Sequence, residues 1–141
     1  MKIYRADATQ SVNAIKRKNL HVPIPVFNFL GDLTISESDK WYPPTPFIFK
    51  TGYATASAAG VATAALELWK KTYHQQGDGI DIIDEVLLAT ATLSAGGVKA
   101  IFTSDVSINN AIVTPRDYIT IKSLYDSGHN GVTVQIFGDK P

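Results

Sequence analysis

The sequence predicts an all-β protein, an antiparallel β-sandwich or jelly roll with an extended N-terminal arm. Residues 117–122 and 132–136 alternate between apolar and polar side chains, which is the period of two that β-strands show. Turn signals recur about every 8–12 residues along the chain, a spacing typical of sandwiches and barrels. A proline-containing segment near the N-terminus further favours extended backbone over helix.

The first part of the chain predicts an arm followed by an edge strand. Residues 1–20 are mostly polar, with a few scattered apolar side chains, and so predict an arm that either frays or packs on a neighbour. Residues 21–30 contain two prolines, which exclude a helix interior and a central strand and indicate an edge strand or a continuation of the arm. Residues 31–32 predict a turn, and residues 33–36 predict a strand that pairs back.

A proline-rich loop is predicted for residues 37–46. Its three prolines favour extended, polyproline-like backbone, and Trp41 and Tyr42 lie directly before them. Aromatic side chains beside prolines on a loop are suited to an interface with a partner, although such side chains also commonly cap the end of a core. Residues 47–49 then predict a short strand.

The middle of the chain allows two interpretations. A single helix over residues 57–73 would place apolar side chains on one face, and the many alanines favour it. Strands are the alternative, because threonine and serine alternate with alanine over residues 53–58. Residues 53–65 also resemble residues 88–101, since both run Ala-Thr-Ala, small residues with glycine, and then valine. This similarity favours strands, arranged as two hairpins of one kind.

The remaining chain predicts strands separated by turns. Residues 80–93 and 98–103 read as strands on either side of Gly96 and Gly97, and residues 106–113 contain a tight turn at two asparagines. The loop at residues 126–131 then separates the two alternating segments near the C-terminus. We therefore expect the chain to close with an antiparallel β-hairpin.

Length and composition indicate one domain. The chain has 141 residues, 45% of them hydrophobic, which suits a single folded unit at residues 21–141 behind an arm at residues 1–20. Charged residues make up 18%, below the roughly 25% of typical soluble domains. This low charge is explained either by other copies of the chain that cover part of the surface or by a surface rich in threonine and serine.

The charge balance and the missing cysteines exclude several classes of function. Lysine and arginine together number 13, as do aspartate and glutamate, so we expect no nucleic-acid partner. The basic run at residues 16–18 indicates a solvated turn. There is no cysteine, which excludes disulfides and thiolate chemistry. The first fifteen residues do not read as a signal peptide and no stretch approaches the roughly 18 apolar residues of a membrane span, so we expect synthesis in a cytoplasm and no membrane partner.

No motif indicates catalysis or a cofactor. The three histidines, His21, His74 and His129, are isolated and lack the paired spacing of zinc ligands, and His129 reads as a polar residue of the last loop. The glycines match neither the P-loop nor the G-x-G-x-x-G pattern, and no serine lies in a nucleophile elbow. We therefore expect a protein that is not an enzyme and has no cofactor or metal.

One acidic cluster offers oxygen ligands of the kind that calcium prefers. It lacks the EF-hand spacing, and the isoleucines between its members make it resemble a strand with one charged face. Cation binding stays an open alternative for this cluster, which comprises Asp78, Asp81, Asp84 and Glu85.

Three C-terminal segments resemble the ends of virion proteins of tailed phages. They are residues 98–103, a strand with Phe-Thr; residues 114–121, which contain Asp-Tyr-Ile-Thr-Ile; and the valine-rich residues 131–138. The similarity is to head-decoration (cement) and tail proteins and, with the intervening turns, covers about a third of the chain. It implies a β-sandwich or jelly-roll module that forms dimers or trimers on a capsid lattice, with an arm on neighbouring subunits.

The resemblance leads to the expectation of a non-enzymatic structural virion protein, in first place a capsid decoration protein that stabilises a shell through contacts between subunits. Its partners would be its own copies, as a trimer or dimer, and a major capsid or other virion protein, and it would reach the virion from the host cytoplasm. The alternative is a carbohydrate- or ligand-binding β module with Trp41 and Tyr42 as stacking platforms. The predicted interface residues are Ile3, Tyr4, Val12, Ile24, Phe27, Phe29, Trp41 and Tyr42.

Overall fold

The structure, a computed structural model, describes residues 24–75, 81–104 and 111–141. These residues form β-strands and no helix. The ten strands are β1 (Phe27–Asp32), β2 (Ser36–Glu37), β3 (Phe47–Thr55), β4 (Ala64–Gln75), β5 (Asp81–Leu93), β6 (Lys99–Ile101), β7 (Thr103–Ser104), β8 (Ile112–Val113), β9 (Asp117–Ser123) and β10 (Asn130–Asp139).

The strands form two antiparallel sheets that pack as a sandwich. The first sheet has the order β1-β10-β3-β6, with β8 also paired to β3, and the second has the order β2-β9-β4-β5-β7. Early and late strands are therefore neighbours in both sheets, and the chain passes repeatedly from one sheet to the other. This is the winding of a jelly roll. The predicted all-β sandwich is confirmed.

The core lies between the two sheets and comes from the period of two in the strand sequences. Val132, Val134 and Ile136 of β10 are buried and alternate with side chains that face outward. Leu66 and Leu68 of β4, in the second sheet, are fully buried and belong to the same core cluster. The alternation read from the sequence thus identifies the face of β10 that leaves water. Burial of apolar side chains is the main stabilising term of the fold.

The interpretation of residues 57–73 as a helix is wrong, and the strand alternative is confirmed for residues 64–73. β4 is the central strand of its sheet, paired along its length with β5 and over Leu66–Thr72 with β9. Ladders on both sides satisfy its backbone groups, and every second side chain of its first half enters the core. These long-range contacts outweigh the helix propensity of the alanines, because propensity differs by only tenths of a kcal/mol per residue.

The predicted closing hairpin is also wrong. β9 pairs with β2 and β4, whereas β10 pairs with β1 and β3, so the two strands lie in different sheets. Residues 124–129 are therefore a crossover between the sheets and not the turn of a hairpin. The period of two predicts both segments as strands correctly, but it does not tell which strand lies next to which.

The two similar segments, residues 53–65 and 88–101, are crossovers as well and do not form the expected hairpins. The first leads from β3 to β4 and the second from β5 to β6, each from one sheet to the other. They lie side by side: the Gly96 amide donates to the Gly60 carbonyl at 3.0 Å, and the Ala56 amide donates to the Val98 carbonyl at 2.8 Å. Small residues permit this close backbone approach.

His129 joins these crossovers and is not the polar turn residue predicted. It is fully buried, and its Nδ1 lies 2.7 Å from Oγ of Ser127. Its Nε2 lies 3.1 Å from the carbonyl oxygens of both Ser94 and Gly97. The carbonyl oxygen of His129 accepts a hydrogen bond from the Leu33 amide at 2.6 Å. His129 therefore also contacts the connection between β1 and β2. We call this part of the sandwich, residues 33–35, 56–63, 94–98 and 124–129, the crossover end.

Candidate functional site

The outward surface of the second sheet carries a group of interacting polar side chains around an aromatic ring. Glu67, Trp69 and Lys71 of β4 alternate with the buried Leu66 and Leu68, so they point away from the core. Neighbouring strands and the β2 edge add further polar groups. We call this surface the β4 face, made up of Glu37, Glu67, Trp69, Lys71, Glu85 and Thr120.

Trp69 lies at the centre of the β4 face. It is paired with Thr120 of β9 on one side and with Leu87 of β5 on the other. The register of β4 and β5 shifts between Leu68 and Trp69, a bulge of the kind that redirects side chains. The indole nitrogen donates a hydrogen bond to Oε1 of Glu67 at 3.2 Å. The indole N–H is thereby satisfied within the face, and the ring remains partly exposed.

A network of charges surrounds Lys71, the next outward residue along β4. The Lys71 ammonium lies 2.7 Å from a carboxylate oxygen of Glu37 and 3.3 Å from one of Glu85. Thr120 donates its hydroxyl hydrogen to the same oxygen of Glu37 at 2.7 Å. Side chains from β2, β4, β5 and β9 therefore meet in one network. The network holds the long side chains of Glu37 and Lys71 in place.

The pKa values of the two central groups follow from this geometry. Burial alone would raise the pKa of Glu37, but hydrogen bonds from Lys71 and Thr120 and the charges of Lys71 and Lys122 outweigh it, so its pKa is lowered. Burial alone would lower the pKa of Lys71, but the hydrogen bonds and charges of Glu37 and Glu85 outweigh it, so its pKa is raised. Both groups keep their charge over a wider pH range than usual.

Aromatic residues extend the β4 face at one side. Tyr118 of β9 is paired with Lys71, and its ring is almost fully covered. Tyr42 covers it with a centroid distance of 5.3 Å, and the Lys40 ammonium lies 5.0 Å from the centroid of the Tyr118 ring. Tyr42 itself remains 54% exposed. An accessible aromatic side chain therefore lies next to the charged network.

The two aromatic residues predicted as stacking platforms have different surroundings. Trp41 packs against the core, with its ring 5.9 Å from that of Phe47. Its backbone exchanges two hydrogen bonds with Ile119, at 3.0 and 3.1 Å. Trp41 thus covers the edge of the core, while Tyr42 faces outward. Of this pair, Tyr42 is the more exposed and is better placed to contact a ligand.

The structure places the other predicted interface residues as follows. Phe27 is buried in the core, and Ile24 and Phe29 are partly buried against it. The remaining three lie outside the described residues. These three are Ile3, Tyr4 and Val12. The role of the whole set in an interface stays a prediction.

The acidic cluster is only partly described. Asp78 lies outside the described residues, and Glu85 is engaged with Lys71. Within residues 24–75, 81–104 and 111–141, no group of three or more His, Asp or Glu side chains is arranged to hold a metal ion. The same part of the chain contains no helix long and apolar enough to cross a membrane.

Sequence reasoning missed the β4 face because its residues are scattered over β2, β4, β5 and β9. The one local signal was the alternation of Glu67, Trp69 and Lys71, which requires a strand. A helix over residues 57–73, the other interpretation that the sequence allows, would instead place Trp69 among apolar side chains on one face. The pairing of Lys71 with Glu37 and Glu85 spans sequence separations that no local pattern reveals.

Comparison with known proteins adds a distant structural neighbour. No family model matches the chain, and no curated protein matches it. Among solved structures, it is similar to part of the N-terminal endo-1,4-beta-D-xylanase 10B of Clostridium thermocellum, whose CBM22-1–GH10 modules were crystallised in complex with xylohexaose. The TM-score is 0.43 at 10% identity, over 86% of this chain and 26% of that one. The chain thus spans about a quarter of the length of that structure.

Proposed function

We propose that the protein is a carbohydrate-binding β module and that the β4 face holds the sugar. The observation that carries this proposal is the position of Trp69, a partly exposed ring on the central strand between hydrogen-bonding side chains. Jelly-roll sandwiches are a common scaffold of lectin domains, but the proposal rests on the side chains of this face and not on the fold.

The face combines the two kinds of group that a sugar ring requires. A pyranose presents C–H bonds on its ring faces and hydroxyls around its rim. The indole of Trp69 offers an apolar surface for the ring face. Glu37 and Glu85 accept hydrogen bonds from hydroxyls, and Lys71 donates to them. Binding sites of this type place a few polar groups around an apolar contact, and the β4 face has this arrangement.

The site is also preorganised. Lys71 is held by two carboxylates, and the Trp69 indole is held by Glu67. Binding a ligand costs conformational entropy for each long side chain that must be fixed, about 0.5–1.5 kcal/mol per side chain. The network already fixes these side chains in the free protein. Ligand binding therefore does not have to order them, and this entropy loss does not weaken binding.

Electrophoresis in gels containing soluble polysaccharide tests the proposal. Xylan, mixed-linkage β-glucan, mannan and pectin serve as the probes. We expect at least one of them to retard the wild-type protein, Trp69→Ala to abolish the retardation, and Lys71→Met to weaken it. Tyr125→Ala removes an exposed aromatic ring of the connection after β9 and is the matched control. Failure of all four probes, or equal retardation of Trp69→Ala, would overturn the proposal.

Tryptophan fluorescence gives a second readout because the chain has only two tryptophans. In a Trp41→Phe background, the emission comes from Trp69 alone. Stacking of a sugar on the indole removes water from one ring face, so the emission maximum shifts to shorter wavelength on titration with the retarding polysaccharide. An unchanged spectrum at saturating polysaccharide contradicts stacking on Trp69.

Decoration of a virion shell is the second candidate function. The observation that favours it is β1, a six-residue strand at the edge of the first sheet, which offers backbone groups for pairing between subunits. Mass spectrometry of purified virions from the organism that carries the gene tests it. The chain should be present in them at a fixed stoichiometry to the major capsid protein, and its absence from the particles contradicts this function.

A further inference from the structure

β1 differs from the other edge strands that the structure describes. β2, β6, β7 and β8 have only two or three residues each, whereas β1 has six. Natural sheets shorten their edges because unpaired N–H and C=O groups are a template for another strand. The ladder of β1 with β10 is regular from Phe27 to Phe29 and shifts before Asp32. The first half of β1 therefore offers a regular outer edge.

A trough runs along this edge between the two sheets. One cavity of about 380 Å³ lies between β1 and the β2 segment, and a second of about 240 Å³ lies between residues 25–28 and 38–41. Asn28, Ser38 and Asp39 line both cavities, so the two lie next to each other along this edge. The trough follows the direction of β1 and provides space for the side chains of an added strand.

The edge carries an apolar side chain exposed to solvent. Leu30 is 92% exposed, and Val26, at the other end of the same segment, is also exposed. Sheets that must avoid pairing commonly place lysine or proline along an edge. Residues 26–30 contain neither. Residues 26–30 thus lack the side chains that keep an edge strand unpaired, which favours an edge that is covered by another segment.

We propose that residues 1–20 of a second copy add a strand to β1 and fill the trough. Twenty-three residues precede Ile24, directly before the trough, and they include Ile3, Tyr4 and Val12. These apolar side chains suit the trough and the exposed Leu30. Strand addition is a common mode of recognition, in which backbone hydrogen bonds give affinity and pockets for alternate side chains give specificity.

The prolines around Ile24 favour a second copy over the arm of the same chain. Return of the arm onto its own β1 would need a tight reversal directly before the strand, where Pro23 and Pro25 favour extended backbone. An arm from a second copy meets no such restriction. Mutual exchange of arms gives a two-fold dimer, and exchange around a ring gives a larger closed assembly.

The mass of the full-length protein in solution tests the proposal. A single chain has a mass of 15.3 kDa, and we expect light scattering coupled to gel filtration to report two or more chains for the wild type. Leu30→Lys places a charge on the edge, and Tyr4→Lys with Val12→Lys places charges on the arm. Both variants should elute as single chains. Val61→Lys is the matched control, because Val61 is 94% exposed at the crossover end, and it should keep the wild-type mass.

Circular dichroism identifies any variant that fails to fold. Leu30→Lys tests the contact between arm and β1 from the side of β1, and Tyr4→Lys with Val12→Lys tests it from the side of the arm. A wild type with the mass of a single chain overturns the proposal, as does a folded Leu30→Lys variant that keeps the wild-type mass. A loss of mass in the edge variant alone would show that another part of the chain covers β1, which also contradicts the arm as its occupant.

Discussion

Gly60 and His129 are packed so closely that a Cβ atom on Gly60 would overlap Nδ1 of the imidazole and the carbonyl oxygen of Ser127. Gly60 lies in the connection between β3 and β4, and His129 lies in the connection between β9 and β10. The Gly60 carbonyl also accepts a hydrogen bond from Gly96. One glycine thus lets three sheet crossovers meet around a buried ring.

Gly60→Ala should therefore destabilise the protein. The added methyl must displace backbone and a buried ring, and overpacking of this kind costs about 1–3 kcal/mol. Urea unfolding followed by circular dichroism measures the loss as a lower midpoint with an unchanged slope. Val61→Ala, at the exposed neighbouring position, is the control and should change the free energy of unfolding by less than about 0.5 kcal/mol. Equal midpoints for the two variants would contradict the packing described.

Replacement of His129 should show how much the hydrogen bonds of its Nε2 contribute to stability. Nε2 lies 3.1 Å from two carbonyl oxygens, which only accept, so Nε2 carries a hydrogen and donates it to them, while Nδ1 lies 2.7 Å from Oγ of Ser127. His129→Ala removes these hydrogen bonds and leaves a cavity, at a cost of about 2–4 kcal/mol. His129→Gln retains an amide donor in place of Nε2–H and should lose less. Urea midpoints in the reverse order would show that the carbonyl contacts contribute little.

The Glu37 carboxylate should stabilise the protein in a pH-dependent way. Its pKa is lowered in the folded protein, so its contribution is fully present above the ordinary value of 4.5 and is lost as the pH falls through the depressed value. Melting temperatures of the wild type and Glu37→Gln should therefore differ most above about pH 5 and converge in acid. A difference that stays constant down to pH 2 would contradict the ion pair as its source.

The pair of Glu37 and Lys71 should contribute a small coupling energy. Lys71 is mostly covered, but the Glu37 side chain is 40% exposed, and exposed pairs typically contribute about 0.2–1 kcal/mol. A double-mutant cycle with Glu37→Gln and Lys71→Met isolates this term from the other partners of each residue. A coupling energy indistinguishable from zero would mean that the network orders the side chains without stabilising the fold.

Leu68→Ala and Leu30→Ala compare the same change at two positions of opposite burial. Leu68 is fully buried between the sheets, so its truncation should cost about 2–5 kcal/mol. Leu30 is almost fully exposed on β1, so its truncation should leave the unfolding free energy of the single chain nearly unchanged. Chemical denaturation at low protein concentration measures both. Similar losses would contradict the assignment of the core.

Much of the fold could be predicted because alternation is local. The period of two in residues 117–122 and 132–136 corresponds to β9 and β10, and the prolines near the N-terminus precede an edge strand, β1. The candidate site could not be predicted in the same way. Trp69 was visible in the sequence, but its neighbours Glu37, Glu85 and Thr120 reach it only through strand pairing and the packing of strand edges.

The sequence by itself determined that this chain is mainly β and, where alternation is clear as in β10, which side of the strand faces the core. Only the tertiary structure decided which strands are neighbours, so that β9 and β10, adjacent in sequence, lie in different sheets. It also decided that His129, a polar residue in a glycine-containing loop, is buried. The physical reason is that alternation defines a buried face, whereas partners are chosen by long-range hydrogen bonding and by the packing of the crossovers around one another.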